Sequence, residues 1–319
     1  MRFAIVGAGG MGSAFAAQLA HAGEDVVLIG RTRPHIDAIT IAGLKVDRPD
    51  GSSFRAYPEA TADPASLACG SVDALIMLTK SFDTAAASVA TAHLLAPDGL
   101  AISLQNGLGN EITMGAAFGV ERSLPGVTTV GARRQEPGRI TVSASTGANA
   151  SISHVGPPRV TDPASALDRA ANVARRLTAA GMSTESKADA DRDIWGKLAL
   201  AVMGPASAVL RRTVGDMWAQ PEARALVRDM FEEVVAVSAA EGVLLDVDAA
   251  WGHAVHTYEG TGAHLTSMCT DIVTGRRTEI EAMAGEVARR GHEHGIAVPI
   301  HDTVVRMIRV LERTYDVAQ

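Results

Sequence analysis

The chain has 319 residues, a length that favours two domains over a single core. Apolar residues make up 47% and charged residues 20%, the balance of a folded soluble protein, and a net charge of −7 with no local basic patch argues against nucleic acid or an anionic membrane surface as a partner. Two distant cysteines, Cys69 and Cys269, give neither a disulfide framework nor metal-ligand spacing, and with no secretory h-region at MRFAIVGAGG the reading is a cytoplasmic protein with no membrane partner.

Up to about residue 185, short apolar runs alternate with helix-like segments. Phe3–Val6, Val26–Ile29, Ala74–Leu78 and Leu100–Leu104 read as buried parallel strands of an α/β domain. The run from Leu124 to Ser143 has β-branched residues, a Glu-Pro-Gly turn and no room for a crossover helix, so it predicts a hairpin added to that sheet. Beyond residue 186 strand signals cease and long helices follow. One opens at Pro221 and stops at Gly242; another, through TEIEAMAGEVARRGHEH, closes before Gly295. The expected organisation is a Rossmann-type dinucleotide-binding domain over 1–185 and an all-helical substrate and dimerisation domain over 186–319.

The first strand runs into GAGGMG, which fits G-x-G-x-x-G in the context that pattern needs, a strand before and a helix after. Gly7 allows the tight turn, Gly9 the close approach of a pyrophosphate and Gly12 the packing of helix on strand. Gly10 and Met11 complete the phosphate loop at the helix N-terminus. The second strand ends in Arg31, with Arg33 close behind, where an NAD-binding chain carries an acid for the ribose 2′-hydroxyl. A cation there suits a 2′-phosphate, so NADP(H) is the expected cofactor.

Three further places carry chemistry. Lys80 and Asn106 stand at the carboxyl ends of the next two strands, in LTK and LQNGLG, where open α/β sheets bind ligands. Lys197, in DIWGKLAL, is the only charged residue between Asp193 and Arg211, so its segment is apolar all round. A lysine partly buried there has its pKa lowered toward the range of a proton donor. Glu279, on a helix after Gly275, falls at the edge of the stripe formed by Ile280, Met283, Ala284 and Val287.

The ordered set GAGGMG with Arg31, LTK, QNGLGN, IWGKLAL and SMCTDIVTGRRTEIE resembles the ketopantoate reductase family (2-dehydropantoate 2-reductases) almost end to end. The resemblance implies that Lys197 is the catalytic acid and that Glu279 assists at the substrate. It also places Lys80 and Asn106 at the nicotinamide and substrate, and makes Ser267 a substrate-binding serine. The sequence departs from the family at Ala201 and Gly204-Pro205, where asparagines are common, and at His264, which stands in place of another asparagine before Ser267. A methyl in place of an amide cannot hydrogen-bond a substrate hydroxyl. The expectation is therefore NADPH-dependent reduction of a small 2-oxo acid, 2-dehydropantoate first, in a cleft between the domains, with a homodimer plausible. Two alternatives stay open: another 2-oxo acid or carbonyl substrate, and a cofactor-binding regulatory protein without turnover.

Overall fold

The computed structural model describes residues 1–143, 152–157 and 164–315; residues 316–319, the end of the second expected domain, lie outside them. The chain divides into two compact units, residues 1–105 with 109–190, and residues 106–108 with 191–319.

The first unit runs β1 (Arg2–Val6), α1 (Gly10–His21), β2 (Asp25–Ile29), α2 (Arg33–Ala42), β3 (Leu44–Asp47), β4 (Ser53–Ala56), β5 (Glu59–Thr61), β6 (Val72–Met77), α3 (Thr84–Thr91), β7 (Leu95–Ser103) and α4 (Asn110–Phe118). It continues through β8 (Ser123–Leu124), β9 (Gly126–Thr128), β10 (Ala132–Glu136), β11 (Arg139–Val142), β12 (Ser153–Val155), α5 (Ala164–Ala179) and β13 (Thr184–Ser186). Six strands form a parallel sheet in the order β5-β2-β1-β6-β7-β8. Its central strands are apolar on both faces because both are covered. Phe3, Ile5, Leu28 and Ile76 pack with Phe15 and Leu19 of α1 and Val173 and Leu177 of α5. Their neighbours Ala4, Val6, Val27, Leu75 and Met77 pack with Met114 and Phe118 of α4. The alternation along each strand assigns successive residues to the two layers.

The expected hairpin is present as β10 and β11, but it does not extend the parallel sheet. It joins β3 and β4 in a second sheet, β10-β11-β3-β4, through parallel pairing of β11 with β3. The reason lies in its inner face: Ile140 is fully buried with Leu44 and Val46 in the core that also holds α1, so the second sheet covers that helix. A third sheet, β13-β12-β9, completes the unit.

The second unit is built on α6 (Ala190–Leu200), α7 (Met203–Leu210), α8 (Val214–Trp218), α9 (Pro221–Ala240), α10 (Val247–Thr261), α11 (Ser267–Val273), α12 (Glu286–Glu293) and α13 (Pro299–Arg313). No strand occurs among its described residues. Pro221 opens α9, and Gly242 follows its end at φ +79°. The stretch Ala190–Leu210 matches a membrane span in length and apolarity, yet most of it is buried inside the protein, as befits a core helix pair. Glu281–Gly285 forms a π-helical turn that runs into α12.

The start of α1 is tightly packed. A methyl group on Gly12 would stand 1.9 Å from the Gly7 carbonyl oxygen. Gly12→Ala is expected to destabilise the protein by about 1–3 kcal/mol, the usual scale of an overpacked site, read as a lowered urea midpoint at unchanged slope.

Candidate active site

In the first unit the strand order reverses between β1 and β6, and ligands of open α/β sheets bind outside the strand ends at that point. Gly7 follows β1 at φ +114°, so close to the chain after β6 that a Cβ would lie 2.6 Å from the Leu78 carbonyl carbon. Gly9 caps α1, and a Cβ there would meet nothing within 4 Å. The chain at Gly9 therefore faces open space, with the N–H groups of Gly10, Met11 and Gly12 behind it lacking intrahelical acceptors, a cradle that fits a pyrophosphate. Met11 packs its side chain on the core and leaves only its backbone to the loop.

Arg31 follows β2 with its guanidinium 83% exposed and ion-paired to Asp83. Lys80 follows β6 and is half-buried. A residue to which sequence reasoning gave no role, Gln105, lies between these loops and the next strand end. Its buried amide Nε2 reaches the Thr79 carbonyl at 2.9 Å, the Thr79 hydroxyl at 3.1 Å and the Thr84 hydroxyl at 2.8 Å, fixing the chain on either side of Lys80. Its only signal is a buried-strand end immediately before an Asn-Gly pair.

The second unit brings together Lys197, Asn106 and Glu279. Lys197 Nζ donates to Asn106 Oδ1 at 2.7 Å, and Asn106 Nδ2 donates to Glu279 Oε2 at 3.4 Å. Burial pushes the lysine down to about 8, and the Glu279 carboxylate opposes that fall. Asn106 reaches this place because Gly107, at φ +86°, lets the chain pass against the π-helical turn. The Leu108 N–H donates to the Ala282 carbonyl at 2.9 Å, and any Cβ on Gly107 would stand 2.1 Å from that same oxygen. Glu279 is corrected from its expected position. It precedes the helix rather than riding on its edge, and it is 6% exposed, because the chain from Arg276 to Ile280 is non-helical and turns the carboxylate toward the asparagine amide.

Ser267 and His264 are exposed and lie on or before the first turn of α11. Among the described residues no hydrogen bond joins their side chains to the Lys197 trio; His264 contributes its carbonyl to the Val214 N–H at 2.9 Å. Ala201 closes α6, its N–H donating to the Lys197 carbonyl at 2.9 Å, so its methyl shares the lysine's helix face one turn on. Tyr258, which the sequence did not single out, donates its hydroxyl to the Leu200 carbonyl at 2.6 Å and secures that last turn.

A parallel sheet of this order, with a glycine-rich turn after its first strand, is the arrangement in which open α/β sheets bind dinucleotides. Residues 3–153 match the family model for ketopantoate reductase PanE/ApbA, and residues 189–312 match that for the PanE/ApbA C terminal region. The 2-dehydropantoate 2-reductase of Halobacterium salinarum is 31% identical over 315 residues, covering 98% of this chain and 99% of that protein. That of Archaeoglobus fulgidus is 30% identical over 314 residues, 98% of each. A PanE/ApbA family ketopantoate reductase from Ralstonia eutropha superposes with a TM-score of 0.86 at 28% identity, covering 98% and 99% of the two chains. D-mandelate dehydrogenase, solved with NADH and anilino(oxo)acetate, shares the fold at a TM-score of 0.89 and 24% identity, covering 99% and 100%. The chain belongs to the ketopantoate reductase family.

The electrostatics of the trio can be tested without substrate. Because the Glu279 charge holds the lysine's affinity for its proton up, Glu279→Gln is expected to move the Lys197 titration below about 8, as followed by NMR of the lysine side-chain nitrogen. An unchanged titration would show that the two groups do not interact.

Proposed function

We propose that the protein reduces a 2-oxo acid to the 2-hydroxy acid with NADP(H), 2-dehydropantoate being the first candidate. The observation that carries this reading is the half-buried Lys197 ammonium, hydrogen-bonded to Asn106 and with its pKa lowered to about 8. The bound dihydronicotinamide supplies a hydride to the ketone carbon. As charge develops on the ketone oxygen, Lys197 meets it and donates its proton there. Asn106, already bonded to the lysine, orients the ammonium and offers its amide to the oxo acid. Glu279 keeps Lys197 protonated against the cost of burial. Lys80 adds positive potential for the carboxylate or cofactor, and Ser267 and His264 contribute to holding the substrate.

Arg31 supports the phosphorylated cofactor, since an exposed guanidinium after β2 can exchange Asp83 for a 2′-phosphate. Arg31→Ala is expected to weaken NADPH by about 2 kcal/mol and leave NADH almost unchanged, measured by fluorescence titration. Equal losses would mean a structural arginine.

A second reading of the substrate is favoured by Ala201, whose methyl stands on the lysine's helix face where an amide would bond a substrate hydroxyl. On that reading the protein prefers a 2-oxo acid without such a hydroxyl. Comparing kcat/KM for NADPH oxidation across a panel of 2-oxo acids separates the two, and no turnover with any of them would overturn both. For the best substrate, kcat should fall as pH rises through about 8, because the donor form of Lys197 is lost there, and Lys197→Ala should lower kcat by about 10²–10⁴. A flat profile and near-full kcat in the variant would remove Lys197 as the acid.

A further inference from the structure

His35 lies in the first turn of α2, is fully buried, and has no part in the chemistry above. Its Nδ1 accepts the Gly138 N–H at 3.0 Å, so the ring proton sits on Nε2 and is donated to Ser13 Oγ at 3.0 Å. One neutral imidazole thus ties together α1, α2 and the turn of the β10–β11 hairpin. Burial, and then the positive charge of Arg134, push the ring down to about 4, which keeps Nδ1 an acceptor through neutral pH.

The other end of the same hairpin meets the glycine loop. A Cβ on Gly10 would stand 2.2 Å from the Ala132 carbonyl oxygen and 3.0 Å from Arg133 Cα, so the first residues of β10 lie directly on the first turn of α1. β10 is an edge strand with β11 as its one neighbour in the sheet. β11 is anchored by its pairing with β3 and the buried Ile140, and the turn beyond it is anchored by the imidazole, a buried, fully bonded link to α1.

We propose that His35 is a positioning residue for the dinucleotide: by pinning the hairpin turn at Gly138 to α1, it keeps Ala132 and Arg133 against the glycine loop and so sets the affinity for NADP(H). The inference rests on the reading that the GAGGMG loop binds this cofactor. Replacing the ring with an apolar side chain leaves the Gly138 N–H and the Ser13 hydroxyl without these partners in a buried place and cuts the tie between the hairpin turn and α1.

The test compares His35→Leu, His35→Asn and His35→Gln in the full chain, with Val173→Ala on α5, outside the hairpin and the glycine loop, as a control that lowers stability through the same core. His35→Leu is expected to weaken NADPH binding by about five- to tenfold in a fluorescence titration, to raise KM for NADPH in parallel, and to leave kcat at saturating cofactor within about twofold. His35→Asn keeps an acceptor near Nδ1 for Gly138 and should restore most of the affinity. His35→Gln reaches toward Ser13 instead and should not. Binding by His35→Leu no weaker than by Val173→Ala at equal loss of thermal stability, or rescue by glutamine equal to that by asparagine, would overturn the proposal. Failure of the wild-type protein to bind NADPH would instead overturn the cofactor reading beneath it.

Discussion

The second unit depends on keeping one positive charge out of bulk water. Lys197 is the only charged residue between Asp193 and Arg211, and burial alone works against its ammonium form. What sustains the charge is a short chain of partners, the Asn106 carbonyl oxygen at 2.7 Å and, behind it, the Glu279 carboxylate. Several otherwise unrelated features follow from that requirement. Gly107 must be bare for Asn106 to arrive, the chain after α11 must leave helical geometry for Glu279 to turn inward, and Tyr258 must secure the last turn of α6. On the proposed reading, a lysine held in this way is cationic enough to meet a developing oxyanion and acidic enough to release its proton.

The first unit solves a different problem, leaving backbone bare at the start of α1 without losing its packing. Gly12 is committed to the helix–strand contact and Gly10 to the hairpin, while Gly9 alone opens onto free space. The Arg31–Asp83 pair is exposed on the Arg31 side, and such pairs contribute little net stability.

Much of this was legible in the residues themselves. The buried strands announced themselves as continuous apolar runs, the glycine loop by its place between strand and helix, and Lys197 by its isolation among apolar neighbours. Glu279 was found by resemblance but misplaced, because a helical stripe drawn through Ile280, Met283 and Val287 assumes 3.6 residues per turn where the chain is first non-helical and then π-helical. The hairpin was recognised, yet its sheet was not, since pairing with β3 depends on contacts far apart in sequence that local β-propensity does not encode. Gln105 and His35 were invisible for the same reason: their partners lie on other segments.

The sequence order of Asn106–Leu108 and their place in the molecule do not coincide: these residues leave the parallel sheet after β7 and pack with the helical unit. A fragment beginning at residue 191 would contain every helix of that unit yet lack the acceptor of its own lysine, and its Ala282 carbonyl would lose the Leu108 N–H. The helical unit is therefore not a portable module. Grafting it between family members means carrying its own residues 106–108, which lie far away in sequence, along with it, and a chimera joined only near residue 190 would inherit a lysine whose proton affinity is set by the host's asparagine and the graft's glutamate.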